Sequence, residues 1–305
     1  MPDGAILVTG AAGLIGNAVR VLLEADGRAV TPLDLNASTE EGRPLTVASV
    51  NDIHRLHAVA AAAPLHGIIH CAAHSGPMVA RDNPFDIVQV NVLGAANVLE
   101  VARIHRVRRV VFCSTVSAYG NTSGDLVDED APLRPNSVYG GSKAAAEQII
   151  NTYAIQYGVD GVSIRIGWVY GPRRRTSCAI REMIRSSLLG QPCHLSYGRD
   201  FYKQYMFVDD AARVLIRALD APALPRRRYN ATGGTYHTLG EIAAIVTRAL
   251  PEARITVDPR PDPDDDVQGR FDIGAAAADL DWRPEVALED GIRRYAAWLR
   301  QRARA

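Results

Sequence analysis

Residues 5–16 read Ala-Ile-Leu-Val-Thr-Gly-Ala-Ala-Gly-Leu-Ile-Gly, a short apolar run that meets three glycines and then a helix-forming stretch. No other segment constrains the fold as tightly. Gly10 permits a tight turn, Gly13 lets backbone N–H groups approach a pyrophosphate, and Gly16 lets the following helix pack closely on the strand. The N-terminus of that helix, beginning at Leu14 and Ile15, adds about half a positive charge facing the same point. A glycine-rich turn by itself needs no ligand. The strand before it and the helix after it make this one a candidate phosphate cradle.

The remainder of the first half repeats that unit. Short β-branched runs at 29–35, 45–50, 67–73, 109–115 and 161–171 alternate with helical patterns starting near Asp52, Pro84 and Ser137. Strands alternating with helices at this spacing predict right-handed crossovers and a parallel sheet covered on both faces, so the fold class is α/β, doubly wound. At 305 residues the chain exceeds the size at which one core usually stops growing. The reading divides it into a Rossmann dinucleotide-binding domain over 1–172 and a smaller C-terminal substrate lobe over 173–305, with parts of 204–250 returning to the first domain. Helices are expected near 180–189 and 288–299, and strands near 204–208 and 228–231.

Lys plus Arg (34) balances Asp plus Glu (34), so no global field draws the chain to nucleic acid or to an anionic membrane. No window of about 18 apolar residues is expected to span a bilayer, and the opening residues lack a signal-like pattern. The expected location is the cytoplasm. The four cysteines, Cys71, Cys113, Cys178 and Cys193, are widely spaced and read as reduced.

Asp34 ends the second strand pattern, where a carboxylate accepts hydrogen bonds from an adenosine ribose and repels a 2′-phosphate. With no Arg or Lys immediately beside it, the expected cofactor is NAD. Asp52 and Ile53 are placed to meet the adenine, although Asp52 serves equally as a helix N-cap. Tyr139 and Lys143 stand at i and i+4 near a helix start, on one face of one turn. A phenol titrates near pH 10, and an adjacent cation lowers it by about 1–3 units, so this pair is a candidate acid/base. Thr115, at a strand's C-terminal end, offers a hydroxyl to the substrate oxygen. A YxxxK helical surface pair arises by chance; the glycine loop and the strand-end threonine in chain order argue against chance here.

Taken together these residues resemble the extended short-chain dehydrogenase/reductases, in their NAD-dependent epimerase/dehydratase branch. The resemblance runs nearly end to end. It includes His70-Cys71-Ala72-Ala73, Asn91-Val92-Leu93-Gly94, Tyr119-Gly120, Arg165 with Tyr170-Gly171-Pro172, Phe207-Val208-Asp209-Asp210 and Leu280-Asp281-Trp282-Arg283-Pro284. It implies Thr115, Tyr139 and Lys143 as the catalytic triad. For the cofactor it implies Cys71, Ala72, Ala73 and Asn91 beside the glycine loop, together with Tyr139 and Lys143. It also implies a homodimer through the helices beginning near Pro84 and Ser137.

The departures from that branch matter as much. Its 4,6-dehydratases carry an acidic pair directly after the threonine, whereas this chain has Val116 and Ser117, which argues against dehydration. Sugar-nucleotide members usually show Asn before the VYGP segment and Arg before the Asp-Asp pair. Here those positions hold Trp168 and Lys203, and Lys lacks the bidentate fork. The expected function is oxidation of a sugar hydroxyl by a sugar or nucleotide-sugar epimerase. The alternatives are a dehydrogenase of a free sugar or sugar acid, and an NAD-sensing protein without turnover, against which the intact triad argues. Candidate substrate residues are His74, Ser75, Trp168, Arg174, Lys203 and Arg260. No metal is expected. Asp262, Asp264 and Asp266 alternate as in a calcium loop, but Val267 stands at its glycine position and Ile273 at its glutamate. His70 and His74 have no evident third ligand.

Overall fold

The computed structural model describes residues 4–122, 126–262 and 265–302. Seven strands form one parallel sheet: β1 (Ala5–Thr9), β2 (Val30–Asp34), β3 (Thr46–Val47), β4 (Leu65–His70), β5 (Arg109–Thr115), β6 (Gly161–Ile166) and β7 (Arg228–Ala231), in spatial order β3-β2-β1-β4-β5-β6-β7. Every pairing is parallel. The order reverses between β1 and β4, which opens a crevice at their carboxyl ends, where open α/β sheets bind ligands. Helices α1 (Leu14–Ala25) and α7 (Val208–Asp220) lie together on one face. Helices α2 (Ile53–Ala62), α4 (Gly94–Ile104) and α5 (Val138–Tyr157) pack with one another on the other.

The segment starting at Pro84 is one helical run whose middle widens. Helix α3 (Pro84–Val88) passes into a π-helical turn, Gln89–Leu93, and then into α4. Pi turns concentrate at functional sites, and this one carries the buried Asn91. The sequence expectation that no apolar window is long enough for a membrane needs correction here. Pro84–Ile104 is long and apolar enough by length and composition, but half of it is buried inside the fold. Its apolar face, with Ile87, Ala95, Val98, Leu99 and Ala102, belongs to the core.

The run 161–171 forms two strands instead of one. β6 ends at Ile166, and after Gly167 the strand Trp168–Tyr170 leaves the large sheet to pair in parallel with Tyr205–Phe207. A side chain at Gly167 would sit 3.1 Å from the Gln204 carbonyl and from Thr232 Cγ2. The missing Cβ therefore lets the chain change sheets at that point. β7 is the edge strand of the seven-stranded sheet and α7 packs on that sheet, although both follow α6 (Ala179–Leu188) in sequence. Helices α8 (Leu239–Ala249) and α10 (Leu288–Arg302) pack on each other and on α6; α9 (Gly274–Asp279) lies against β7.

One buried ion pair binds sheet to helix. Arg165 on β6 meets Glu147 on α5 through contacts of 2.7, 3.0 and 3.2 Å, with both side chains nearly inaccessible. Its other nitrogen donates to the Tyr119 hydroxyl and the Glu129 carbonyl. Glu147 in turn accepts from Ser114 Oγ, one residue before Thr115.

Candidate active site

The glycine loop follows β1 directly. Gly10 has φ +69° and lies so close to β4 that a Cβ would stand 2.7 Å from the Ala72 nitrogen. A Cβ on Gly16 would fall 2.2 Å from the Gly10 carbonyl oxygen. Both positions exclude any other residue. Gly13 has open space beyond one contact at 3.1 Å with the Gly10 carbonyl, and it is the N-cap of α1 with no side-chain cap. The first-turn N–H groups of α1 are therefore free to meet a phosphate.

This loop forms one end of a cleft of about 680 Å³ lined by Gly10, Gly13, Leu14, Ile15 and Asp34, and further on by Cys71, Ala72, Ala73, Thr115, Tyr139 and Lys143. Asp34 accepts from the Ala12 nitrogen at 2.9 Å and from Asn36 through its backbone and side chain at 3.1 and 2.8 Å. Its carboxylate is thus fixed at the lip of the cleft. The free N–H groups, the Cβ-free cradle and the fixed carboxylate suit a dinucleotide with unphosphorylated ribose hydroxyls.

Tyr139 and Lys143 share one face of the first turns of α5, which starts at Ser137 because its hydroxyl caps the Gly140 nitrogen at 3.1 Å. Gly140 brings that turn against the 3₁₀ segment Val116–Ala118: a Cβ there would sit 2.4 Å from the Ser117 carbonyl. The close approach sets Tyr139 beside Thr115. The side chains of Thr115 and Ser75 stand beside the Tyr139 hydroxyl. Burial pushes the phenol above its usual range, opposed by the neighbouring Thr115 and Ser75 side chains and by the charge of Arg174. Burial likewise lowers Lys143, whose ammonium donates to the Cys113 carbonyl at 2.8 Å and lies over the Phe112 ring at 4.5 Å.

Several expected residues lie elsewhere. Asp52 is the N-cap of α2, accepting from the Arg55 nitrogen at 2.9 Å, and neither it nor Ile53 lines the cleft. The capping alternative prevails because the chain turns into the helix at that point, and Ala48, Ser49, Val50 and Asn51 form the wall instead. Asn91 is buried behind the wall. Its amide accepts from the His74 nitrogen and donates to the His74 carbonyl and to Ser142 Oγ, so it fixes the loop that carries His74 and Ser75. Arg260 is exposed and outside the cleft; its carbonyl accepts from Gly198.

His74, Ser75, Trp168, Arg174 and Lys203 do line the cleft. His74 bonds Asp86 at 2.7 Å. Lys203 is buried, paired with Asp262 at 3.2 Å and with Asp265, and placed over the Trp168 and Phe201 rings. Asp262 and Asp265 thus act as partners of Lys203 at the cleft wall; Asp264 lies outside the described residues. The residues missed from the sequence include Asn36, Tyr197 and the Ser177–Cys178 pair. Only Tyr197, just before Gly198, had a local signal, an aromatic at a turn. All four cysteines are free.

The NAD dependent epimerase/dehydratase family matches residues 6–232. The chain belongs to that family. A UDP-glucose 4-epimerase of Mycolicibacterium smegmatis is 31% identical over 97% of this chain and 99% of its own length. UDP-glucuronate 4-epimerase 3 of Arabidopsis thaliana is 26% identical over 96% of this chain and 76% of its own length. The Thermus thermophilus UDP-glucose 4-epimerase, solved in complex with NAD, superposes with a TM-score of 0.86 at 31% identity, covering 97% of this chain and 99% of that one.

Proposed function

We propose that this protein is an NAD-dependent nucleotide-sugar epimerase. The carrying observation is the convergence of Thr115, Tyr139 and Lys143 on the cleft that begins at the glycine loop. In this reading Tyr139 takes the proton from a sugar hydroxyl, Thr115 donates to the oxygen becoming a carbonyl, and the cation of Lys143 favours the phenolate. NAD, when bound along the loop, supplies the hydride acceptor and then the donor to the opposite face of the keto sugar. Asn91, through His74, holds the loop that carries Ser75 beside Tyr139.

Elimination of water needs a carboxylate beside Thr115. Val116 is buried there, and Ser117 accepts from the Thr115 hydroxyl. The reading therefore stops at epimerisation.

The test is incubation of the NAD-loaded protein with UDP-glucose, UDP-galactose and UDP-glucuronate, followed by chromatography and by absorbance of NADH. Product isomers without accumulating NADH support the reading. Stoichiometric free NADH in parallel incubations with a free aldose or uronate supports instead the dehydrogenase alternative, which Trp168 and Lys203 at two substrate positions favour. The homodimer is part of the same proposal. Phe85, Val88, Leu93 and Val138 are exposed apolar residues on the helical run from Pro84 and at the start of α5, and sedimentation of a Phe85→Asp variant as a monomer tests them.

A further inference from the structure

Two of the four free cysteines meet on the wall of the cleft. Strands β4 and β5 pair in parallel, with Ile69 opposite Val111 and His70 opposite Phe112. Continued by one residue, that register sets Cys71 opposite Cys113. Residues opposite one another on neighbouring parallel strands turn their side chains to the same face, and both cysteines pack into the same hydrophobic cluster. Neighbouring strands lie about 4.7–4.9 Å apart, within the Cα span of about 4.4–6.8 Å that a disulfide bridges.

The pair stands at the catalytic end. The Cys113 carbonyl accepts from the Lys143 ammonium at 2.8 Å, and the charge of Lys143 reaches both thiols. Cys71 opens the stretch of cleft wall that runs through Ala72 and Ala73 to His74 and Ser75. The two sulfurs are not equivalent. The Cys71 side chain, and after it the charge of Lys143, hold the Cys113 thiol below its usual range, whereas the Cys113 side chain and burial hold Cys71 above it. A readily ionised thiol beside a protonated one is the arrangement of an oxidisable nucleophile with its resolving partner.

We propose that Cys71 and Cys113 are a redox modification site, which a hydroperoxide converts to a disulfide that loosens the cleft's hold on its dinucleotide. In the first step the Cys113 thiolate sulfur attacks a peroxide oxygen. An S–O bond forms, the O–O bond breaks, and the departing hydroxide takes up the proton that the thiol gave up. In the second the Cys71 sulfur attacks the sulfenic sulfur of Cys113; the S–S bond forms, the S–O bond breaks, and hydroxide leaves as water with the Cys71 proton. Two thiols lose two electrons and two protons, and the peroxide becomes two waters. Closing the bond draws together two backbones, one holding Lys143 by its carbonyl and the other forming the wall at Ala72 and Ala73. The site is independent of which sugar the cleft accepts.

The experiment treats the purified protein with stepwise hydrogen peroxide, with and without added NAD, then alkylates it, weighs it intact by mass spectrometry and maps its peptides. The expected product is lighter by two hydrogens, about 2 Da per chain, and carries one crosslinked pair of peptides containing Cys71 and Cys113. Cys178 and Cys193 remain open to alkylation, dithiothreitol reverses the change, and added NAD slows it because both sulfurs line the cleft. Calorimetric titration shows NAD bound about tenfold more weakly by the crosslinked protein, equal to about 1.4 kcal/mol, with recovery on reduction. Cys71→Ser stops at a sulfenic acid on Cys113 that dimedone captures, and Cys113→Ser gives no crosslink; circular dichroism shows that both variants are folded, and the map of the wild type stands without them. Crosslinks between other cysteines overturn the proposal, as does stepwise addition of oxygen to wild-type Cys113 without a crosslink. An oxidation rate unchanged by NAD, or a crosslinked protein that binds NAD as the reduced form does, overturns it as well.

Discussion

Replacing Arg165 by Met tests whether the buried pair on β6 and α5 positions the catalytic end of the sheet. The substitution removes three contacts of 2.7–3.2 Å to Glu147 and leaves that carboxylate buried. Its remaining donor is the Ser114 hydroxyl. Breaking one member of a buried pair costs about 3–5 kcal/mol, because the surviving charge lacks both water and partner. At about 2–4 °C per kcal/mol, a figure for domains of 150–250 residues, the melting temperature falls by roughly 6–20 °C. Arg165→Met with Glu147→Met removes both charges and recovers at least half of that loss, since apolar replacement of a buried pair is often neutral or better. The assay is thermal unfolding by circular dichroism on all four members of the cycle, alongside turnover. Because Glu147 holds Ser114, and Thr115 follows it, kcat falls in the single variant even at temperatures where it is fully folded. A melting temperature within 2 °C of wild type, or a double variant no better than the single, refutes the argument.

Tyr139→Phe keeps the ring and removes the proton carrier, so turnover falls by about 10²-fold or more while NAD affinity stays within threefold; turnover that persists on every substrate disproves the acid/base role. Asp34→Ala removes the fixed carboxylate at the cleft lip and weakens NAD at least tenfold, while NADP is affected less, because the repulsion toward a 2′-phosphate goes with it; dissociation constants for both cofactors decide it. His70 is fully buried against Thr9, and burial followed by the charge of Lys143 lowers its pKa from 6.5 to about 3. Between those values the unfolded chain binds a proton that the folded one refuses, so stability is lost as the pH falls. From pH 6.5 to pH 5 this amounts to about 2 kcal/mol. The difference between wild type and His70→Gln in urea unfolding across that interval reads it out, and parallel curves would show that His70 is not the group responsible.

The parts of this protein legible in its sequence are those whose function is carried by local backbone. The glycine loop declares itself because Gly16 is demanded by a contact with the Gly10 carbonyl, six positions earlier, and because the strand before the loop and the helix after it adjoin it in sequence; the contact that demands Gly10 comes from Cys71 and Ala72, about 60 positions later. Tyr139 and Lys143 are legible for a similar reason: one helical turn fixes their relation. Asp52 shows where the logic weakens, because a carboxylate after a strand is equally good as a cap, and local hydrogen bonding to Arg55 decided the matter. The substrate end was least legible because charge there is set by pairing across long sequence distances. Lys203 finds its carboxylates about 60 positions later, and Arg173 and Arg175 find theirs more than 130 positions earlier. A run of three arginines and a lysine therefore reads as one basic patch in the sequence. In the fold Arg173, Arg175 and Lys203 are each paired with carboxylates, and those pairings can be read only once the chain has brought Glu40, Glu41, Asp262 and Asp265 beside them.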